Sequence, residues 1–198
     1  IEALHQHPAS VGIARWGLLA VSVLAENSET NSQRFGDNGA TSIITLTLHT
    51  HQTTAAVALS GCAAIKSIAN VSLNFTQELG QYGACESTIA ALNLHMSDPR
   101  VVAEGCRAIA SLARYLGNAS WFGPAQAAEA IMTAVSTHQH DPGVLEAAFL
   151  AVERLCIDQY MSERLAAADA LSQAVHVMSL EATSTNANLT LVICRSIS

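Results

Sequence analysis

The chain has 198 residues, half of them hydrophobic, only 5 % aromatic and 13 % charged, with a formal net charge of −7. Charged residues at about half the usual ~25 % leave the surface to Ser, Thr, Asn, Gln and Ala, and Lys66 is the only lysine beside the arginines, so no clustered basic patch exists for a nucleic-acid backbone. No apolar run approaches the ~20 residues that span a bilayer, and no signal peptide is visible.

The chain opens without Met and inside a helical pattern. After a turn at Pro8, the first long amphipathic segment covers Ser10–Glu26. A short helix at Asn31–Gly36, presenting Phe35, and a second at Gly39–His49 follow. The run Ile44-Thr45-Leu46-Thr47-Leu48 alternates as a strand would, but its alignment with Thr88–Leu94 predicts helix. The next long segment is Thr54–Asn70.

The same order then returns. Leu73–Gly80, with Leu79 as its large apolar residue, precedes Gly83–Met96 and Pro99–Arg114. Asn118–Phe122, presenting Trp121, precedes Ala125–His138 and Pro142–Cys156. Asp158–Arg164, presenting Met161, precedes Ala166–Met178 and a last segment at Ala187–Ser198. In the second helices Ile89, Leu92, Ile131, Val135, Leu171 and Val175 recur at helical spacing and are expected to face inward. Asp98-Pro99 and Asp141-Pro142 place a capping carboxylate ahead of a proline at the first helical position, where its missing N–H costs nothing.

Superimposing the copies gives a period of about 43–44 residues. The block Gly17–Ala25 aligns with Gly61–Ala69, Gly105–Ala113 and Ala148–Cys156. A period of that length built from helices predicts a stacked helical solenoid. The units fall at about residues 1–26 (partial), 27–70, 71–114, 115–157 and 158–198 (partial), one continuous segment of what we expect to be a longer array.

Asn31, Phe35, Gly39 and Ala40, then Leu79, Gly83 and Ala84, followed by the cores Ala64–Ala69 and Ala108–Ala113, resemble armadillo repeats. The related HEAT repeats share the Asp-Pro turn; three pieces per unit and the Gly-Ala junction favour armadillo. The resemblance covers essentially the whole chain and implies an all-α, right-handed α-α superhelical solenoid of three-helix repeats. It further implies that the third helices line a concave groove holding an extended peptide. In the nuclear-import receptors of this family, Trp and Asn four residues apart line that groove. Carried over, those pairs become Leu19/Val23, Ala63/Ser67, Arg107/Ser111 and Leu150/Arg154, none of them Trp/Asn. The candidate groove is therefore apolar at one end (Trp16, Leu19, Val23), small in the middle (Ala63, Ser67, Ser111) and arginine-bearing at the other (Arg107, Arg114, Leu150, Arg154). Such a surface suits a protein partner with apolar anchors and acidic residues. Each of these side chains also has a plain alternative, packing against neighbouring helices or standing solvated.

The eight histidines, His5, His7, His49, His51, His95, His138, His140 and His176, all fall at the ends of second helices or in the turn after them. A metal row is disfavoured because residues i and i+2 on a helix diverge by ~200° and stacked helices stand ~8–10 Å apart. Imidazole N–H groups near terminal carbonyls are the simpler account. The five cysteines form no CxxC pair and fit buried thiols in a reducing compartment. The N-x-S/T triplets at Asn70, Asn74, Asn118 and Asn188 read as chance, with Asn70 and Asn118 at helix ends for capping. Phosphate loop, GxSxG, HExxH and Cys/His motifs are missing, and Glu86, Glu129 and Asp169 sit where acidic groups suit a helix dipole. We expect no catalytic residue, cofactor or metal site. The expectation is a cytoplasmic or nuclear interaction scaffold; a structural spacer, an end-to-end self-associating module, or a docking module for a small GTPase or kinase are its competitors.

Overall fold

The computed structural model describes residues 1–26 and 28–179; the expected helix at Ala187–Ser198 and the triplet at Asn188 lie outside them. The described residues form thirteen α-helices, with no strand among them. A remnant second helix, α1 (Glu2–Gln6), leads into the third helix α2 (Val11–Ala25). Three full triplets follow: α3 (Glu29–Asp37), α4 (Ala40–Thr50) and α5 (Ala55–Ala69); α6 (Leu73–Gln81), α7 (Ala84–Leu94) and α8 (Pro99–Leu112); then α9 (Ala119–Phe122, entered through a 3-10 turn at Leu116–Asn118), α10 (Ala127–Thr137) and α11 (Pro142–Leu155). The first helix α12 (Gln159–Ala167) and second helix α13 (Ala170–Ser179) complete the described part.

Third helices stack on third helices in the order α2, α5, α8, α11, and second helices in the order α4, α7, α10, α13. One continuous core runs between the layers, from Ala14 to Val177. Leu18, Ile44, Leu48, Ile65, Ile68, Leu79, Leu92, Ile109 and Phe149 are fully enclosed in it, each worth about 1.5–3 kcal/mol of transfer energy. Close approach depends on small residues. A Cβ at Gly61 would stand 2.9 Å from Leu48, and one at Gly105 3.4 Å from Leu92, so each third helix rides directly over a leucine of its own second helix.

Helix starts follow local chemistry. Ser10, Ser28, Ser72, Asp98, Asp141 and Asp158 each accept a backbone N–H of the first turn through the side chain, and Pro99 and Pro142 occupy the first helical position as expected. The strand-like run lies within α4; Thr45 settles there by donating its hydroxyl to the Thr41 carbonyl at 2.9 Å.

Several expectations need correction. The second helices α10 and α13 begin at Ala127 and Ala170, not at Ala125 and Ala166. The second helices α4, α7, α10 and α13 are each entered through a left-handed residue: Gly39 (φ 73°), Gly83 (φ 87°), then Gln126 (φ 61°) and Asp169 (φ 65°). The last two units use a side-chain-bearing residue where the motif has glycine, which hid the junction. With α13 starting four residues later, Ala170, Ala174 and Val177 face inward, while Leu171 and Val175 are exposed. Ile89, Leu92, Ile131 and Val135 are buried as expected. In the first helices the anchor series is Phe35, Leu79, Phe122 and Leu165; Trp121 is exposed, and Met161 is buried one turn earlier than the true counterpart.

The position four residues before that anchor stacks the first helices on one another. Phe75 and Asn118 occupy the space where Gly36 and Gly80 of the preceding unit would carry a Cβ, at 2.0 Å in both cases. Asn118 is buried and donates Nδ2–H to the Thr76 carbonyl (3.1 Å) and the Leu112 carbonyl (2.9 Å). Its amide therefore ties three helices together rather than capping the helix it precedes.

Candidate functional site

Apart from Arg114, which follows the end of α8, the candidate groove residues sit on the four stacked third helices, and their surroundings differ by position. One series is Trp16, Ser60, Glu104 and Ala147. Glu104 faces backwards along the stack, its Oε1 2.6 Å from Lys66 Nζ on the preceding third helix. Ser60 and Ala147 are correspondingly buried. Trp16 points the same way from the first helix of the stack and stays exposed, with Arg15 4.7 Å above its ring. Val23 behaves likewise: it is exposed, whereas its counterparts Ser67 and Ser111 are buried. Trp16 and Val23 thus belong to the end of the stack, not to a row continuous with the other candidates. Leu19, Ala63 and Leu150 are half-buried between successive third helices.

The arginines are mostly engaged. Arg107 places Nη1 3.3 Å from Glu104 Oε2 and Nη2 3.5 Å from the Gly143 carbonyl. Arg114 donates Nη1–H to the carbonyls of Asn70 (2.6 Å) and Ala69 (3.3 Å), covering the C-terminal end of α5. Ser111 returns its hydroxyl to the Arg107 carbonyl at 3.0 Å. Arg114 and Arg154 are both exposed, and Arg154 lines a small cavity together with Asp158.

Sequence reasoning missed Glu26, Lys66 and Glu104. With Arg107 they form a chain of alternating charge across α2, α5 and α8: Glu26 Oε1 lies 4.0 Å from Lys66 Nζ, which lies 2.6 Å from Glu104, which pairs with Arg107. The i,i+3 spacing of Glu104 and Arg107 was readable as a helix pair. The Lys66–Glu104 contact joins different helix positions of adjacent units, so no periodic alignment pairs them.

A cleft of about 530 Å³ opens where α2 and α5 end, lined by Ala25, Glu26, Ser28, Glu29, Lys66, Ser67, Asn70 and Val71. Ser67, the counterpart of the peptide-clamping position in the resemblance, lines it. Its exposed charge is mainly acidic: Lys66 lies closer to the mostly buried Glu104 (2.6 Å) than to Glu26 (4.0 Å), and Glu26 and Glu29 are exposed. The face that carries the candidate residues thus has exposed carboxylates at the α2–α5 end and the exposed Arg154 at the α11 end.

The histidines form a different ladder. His51, His95 and His138 each end a second helix and place Nε2 2.7 Å from a main-chain carbonyl of the preceding unit, those of Pro8, Gln52 and Met96. A carbonyl only accepts, so Nε2 carries the proton. The N–H groups serve the neighbouring unit's turn, not the terminal carbonyls of their own helix. Among the described residues no three His, Cys, Asp or Glu side chains converge as metal ligands. Cys62, Cys85, Cys106 and Cys156 are free thiols; burial raises the pKa of all four, that of Cys106 to about 12. No helix among the described residues is long and apolar enough to cross a membrane.

No protein-family model and no curated protein matches the chain. Solved structures do. An engineered protein, known from its crystal structure, superimposes with a TM-score of 0.83 at 19 % identity, covering 99 % of this chain and 77 % of its own. A designed armadillo repeat protein gives 0.80 at 19 % identity, covering 96 % and 76 %. A second designed armadillo repeat protein, in complex with the peptide (KR)4, gives 0.76 at 19 % identity with the same coverage. The fold is an armadillo-like, all-α superhelical solenoid.

Proposed function

We propose that the chain is a non-catalytic interaction scaffold that binds a partner peptide or helix along the concave face lined by α2, α5, α8 and α11. The observation that carries this reading is the cleft of about 530 Å³ between the C-terminal ends of α2 and α5, which brings Ser67 and Asn70 alongside the exposed carboxylates Glu26 and Glu29. Side-chain amides and hydroxyls there can pair with the main chain of an extended segment, and a pre-ordered stack of helices lowers the entropy lost on binding. A designed relative in fold is found in complex with a peptide, which supports the class of ligand.

The charge layout refines the partner expected from sequence. Arg154 suits an acidic residue at the α11 end, and apolar anchors fit beside Leu150. At the α2–α5 end the exposed carboxylates of Glu26 and Glu29 suit a basic residue. The preferred segment is thus dipolar rather than uniformly acidic. A cytoplasmic or nuclear location is part of this reading, supported by buried, unpaired thiols and by the enclosed side chain of Asn118.

The test is a peptide-library selection on the full chain, followed by anisotropy titration of the selected sequences. Arg154→Glu is expected to weaken acidic-end binders about tenfold or more, and Glu26→Lys with Glu29→Lys to weaken basic-end binders similarly. Selected peptides that bind all three proteins equally would overturn the groove as the site. A spacer or self-associating module would yield no selected peptide.

A further inference from the structure

The most uneven feature of the solenoid is its α1–α2 end. Leu24 is 53 % exposed, whereas its counterparts Ile68, Leu112 and Leu155 are 0 %, 0 % and 2 % exposed because a preceding unit covers them. Ala20 is exposed where Ala64, Ala108 and Ala151 are fully buried, Trp16 is exposed where Ser60 and Ala147 are buried, and Val23 is exposed where Ser67 and Ser111 are buried, Arg154 at the same position of α11 being exposed too. Beside Leu24 a cleft of about 340 Å³ lies between Ile1, Phe35 and Arg34. His7 ends α1 as His51, His95 and His138 end their second helices, yet its ring finds no acceptor among the described residues and is exposed.

These residues occupy positions at the unit-to-unit interfaces further along the stack, including that of the histidine-to-carbonyl hydrogen bond which recurs at each of them. We propose that the α1–α2 face is a stacking surface that seats one further three-helix unit of this same kind. In this arrangement Trp16, Ala20, Val23 and Leu24 pack against the third helix of that unit. His7 Nε2–H then donates to the carbonyl of its turn, the role His51 plays toward Pro8. Continuity of the repeated interface identifies the occupant: the buried alanine and large aliphatic residue at the Ala20 and Leu24 positions recur together with the imidazole donor where two units meet. Arg15, stacked on Trp16, adds an exposed cation at the rim for a carboxylate of the incoming unit.

The test duplicates residues 1–44 ahead of Ile1 in the full chain, so that Ile44 runs into Ile1 as it runs into Thr45. Amide exchange of the original α2 is expected to slow by about tenfold or more, and thermal stability to rise. Leu24→Glu or His7→Asn in the original copy should cancel much of that gain, yet be close to neutral in the unextended chain, where both side chains face solvent. Unchanged α2 exchange in a folded extended chain would overturn the proposal. So would a concentration-dependent dimer of the unextended chain, seen by sedimentation velocity and abolished by Leu24→Glu, since the occupant would then be a second copy. A monomer in that experiment supports it.

Discussion

His95 stands with its Nε2 2.7 Å from the carbonyl oxygen of Gln52, a residue 43 positions earlier in the chain. The distance in sequence is one repeat, so this bond fixes the rotation of one unit on the next at a point where apolar packing alone would let them slide. His51 and His138 make the same bond to Pro8 and Met96.

Replacing His95 by Leu leaves a partly buried carbonyl without a donor, which costs about 1–3 kcal/mol. The urea midpoint of the full chain should fall accordingly, and His95→Gln should recover part of the loss because its amide can still donate. Treatment with EDTA should leave the midpoint of the unaltered chain where it was, since a donor to a carbonyl needs no metal. A drop on chelation would restore the metal row that geometry disfavours.

The left-handed entries to the second helices give a stabilising change. Gln126 and Asp169 hold φ of 61° and 65°, conformations that glycine adopts at no steric cost. Gln126→Gly should raise stability by up to about 1 kcal/mol, and Asp169→Gly by less, since a short Asp side chain tolerates this region better. Gly83→Ala, at φ 87°, should lower stability by about 1 kcal/mol or more. Thermal unfolding of the three variants side by side checks the order.

These positions also mark how far the sequence could be read. Third helices were legible almost to the residue because Ser10, Asp98-Pro99 and Asp141-Pro142 write their starts as local chemistry. Second-helix starts in the last two units were not, because left-handed backbone was carried by Gln126 and Asp169 instead of glycine, and the shift moved Leu171 and Val175 out of the core. In the candidate groove, the row of positions was readable from the repeat. That Arg114 is spent on the end of α5 and Lys66 on Glu104 was not, because each contact links different positions of neighbouring units.

First-helix stacking should be intolerant of added bulk. A methyl group at Gly80 would meet Asn118 Oδ1 at 2.0 Å, and one at Gly36 would meet the Phe75 ring at the same distance. Gly80→Ala must expel an amide that bonds two carbonyls, so it should cost about 2–4 kcal/mol, more than overpacking alone. Pairing it with Asn118→Ala tests the mechanism, because the clash disappears in the double variant. A cost that simply adds would place the damage in the helix of Gly80 instead.

Acid should weaken the turn at Asp98 first. The Arg100 guanidinium, donating through Nε (3.1 Å) and Nη2 (2.8 Å), holds the Asp98 carboxyl down at about 2, helped by the backbone N–H groups of Arg100 and Val101 against a smaller desolvation effect. The folded value lies below the ordinary one near 3.8, so the unfolded chain binds the proton first. The contribution is therefore complete above about pH 4 and is lost as pH falls toward 2. Asp98→Asn keeps an N-capping oxygen but removes the charge. It should unfold at lower temperature than the unaltered chain at pH 7, and the gap should close near pH 2. Because the pair is solvent-accessible, added salt should narrow the gap at pH 7 as well. A gap of equal size at both pH values would mean that Asp98 acts only through its cap.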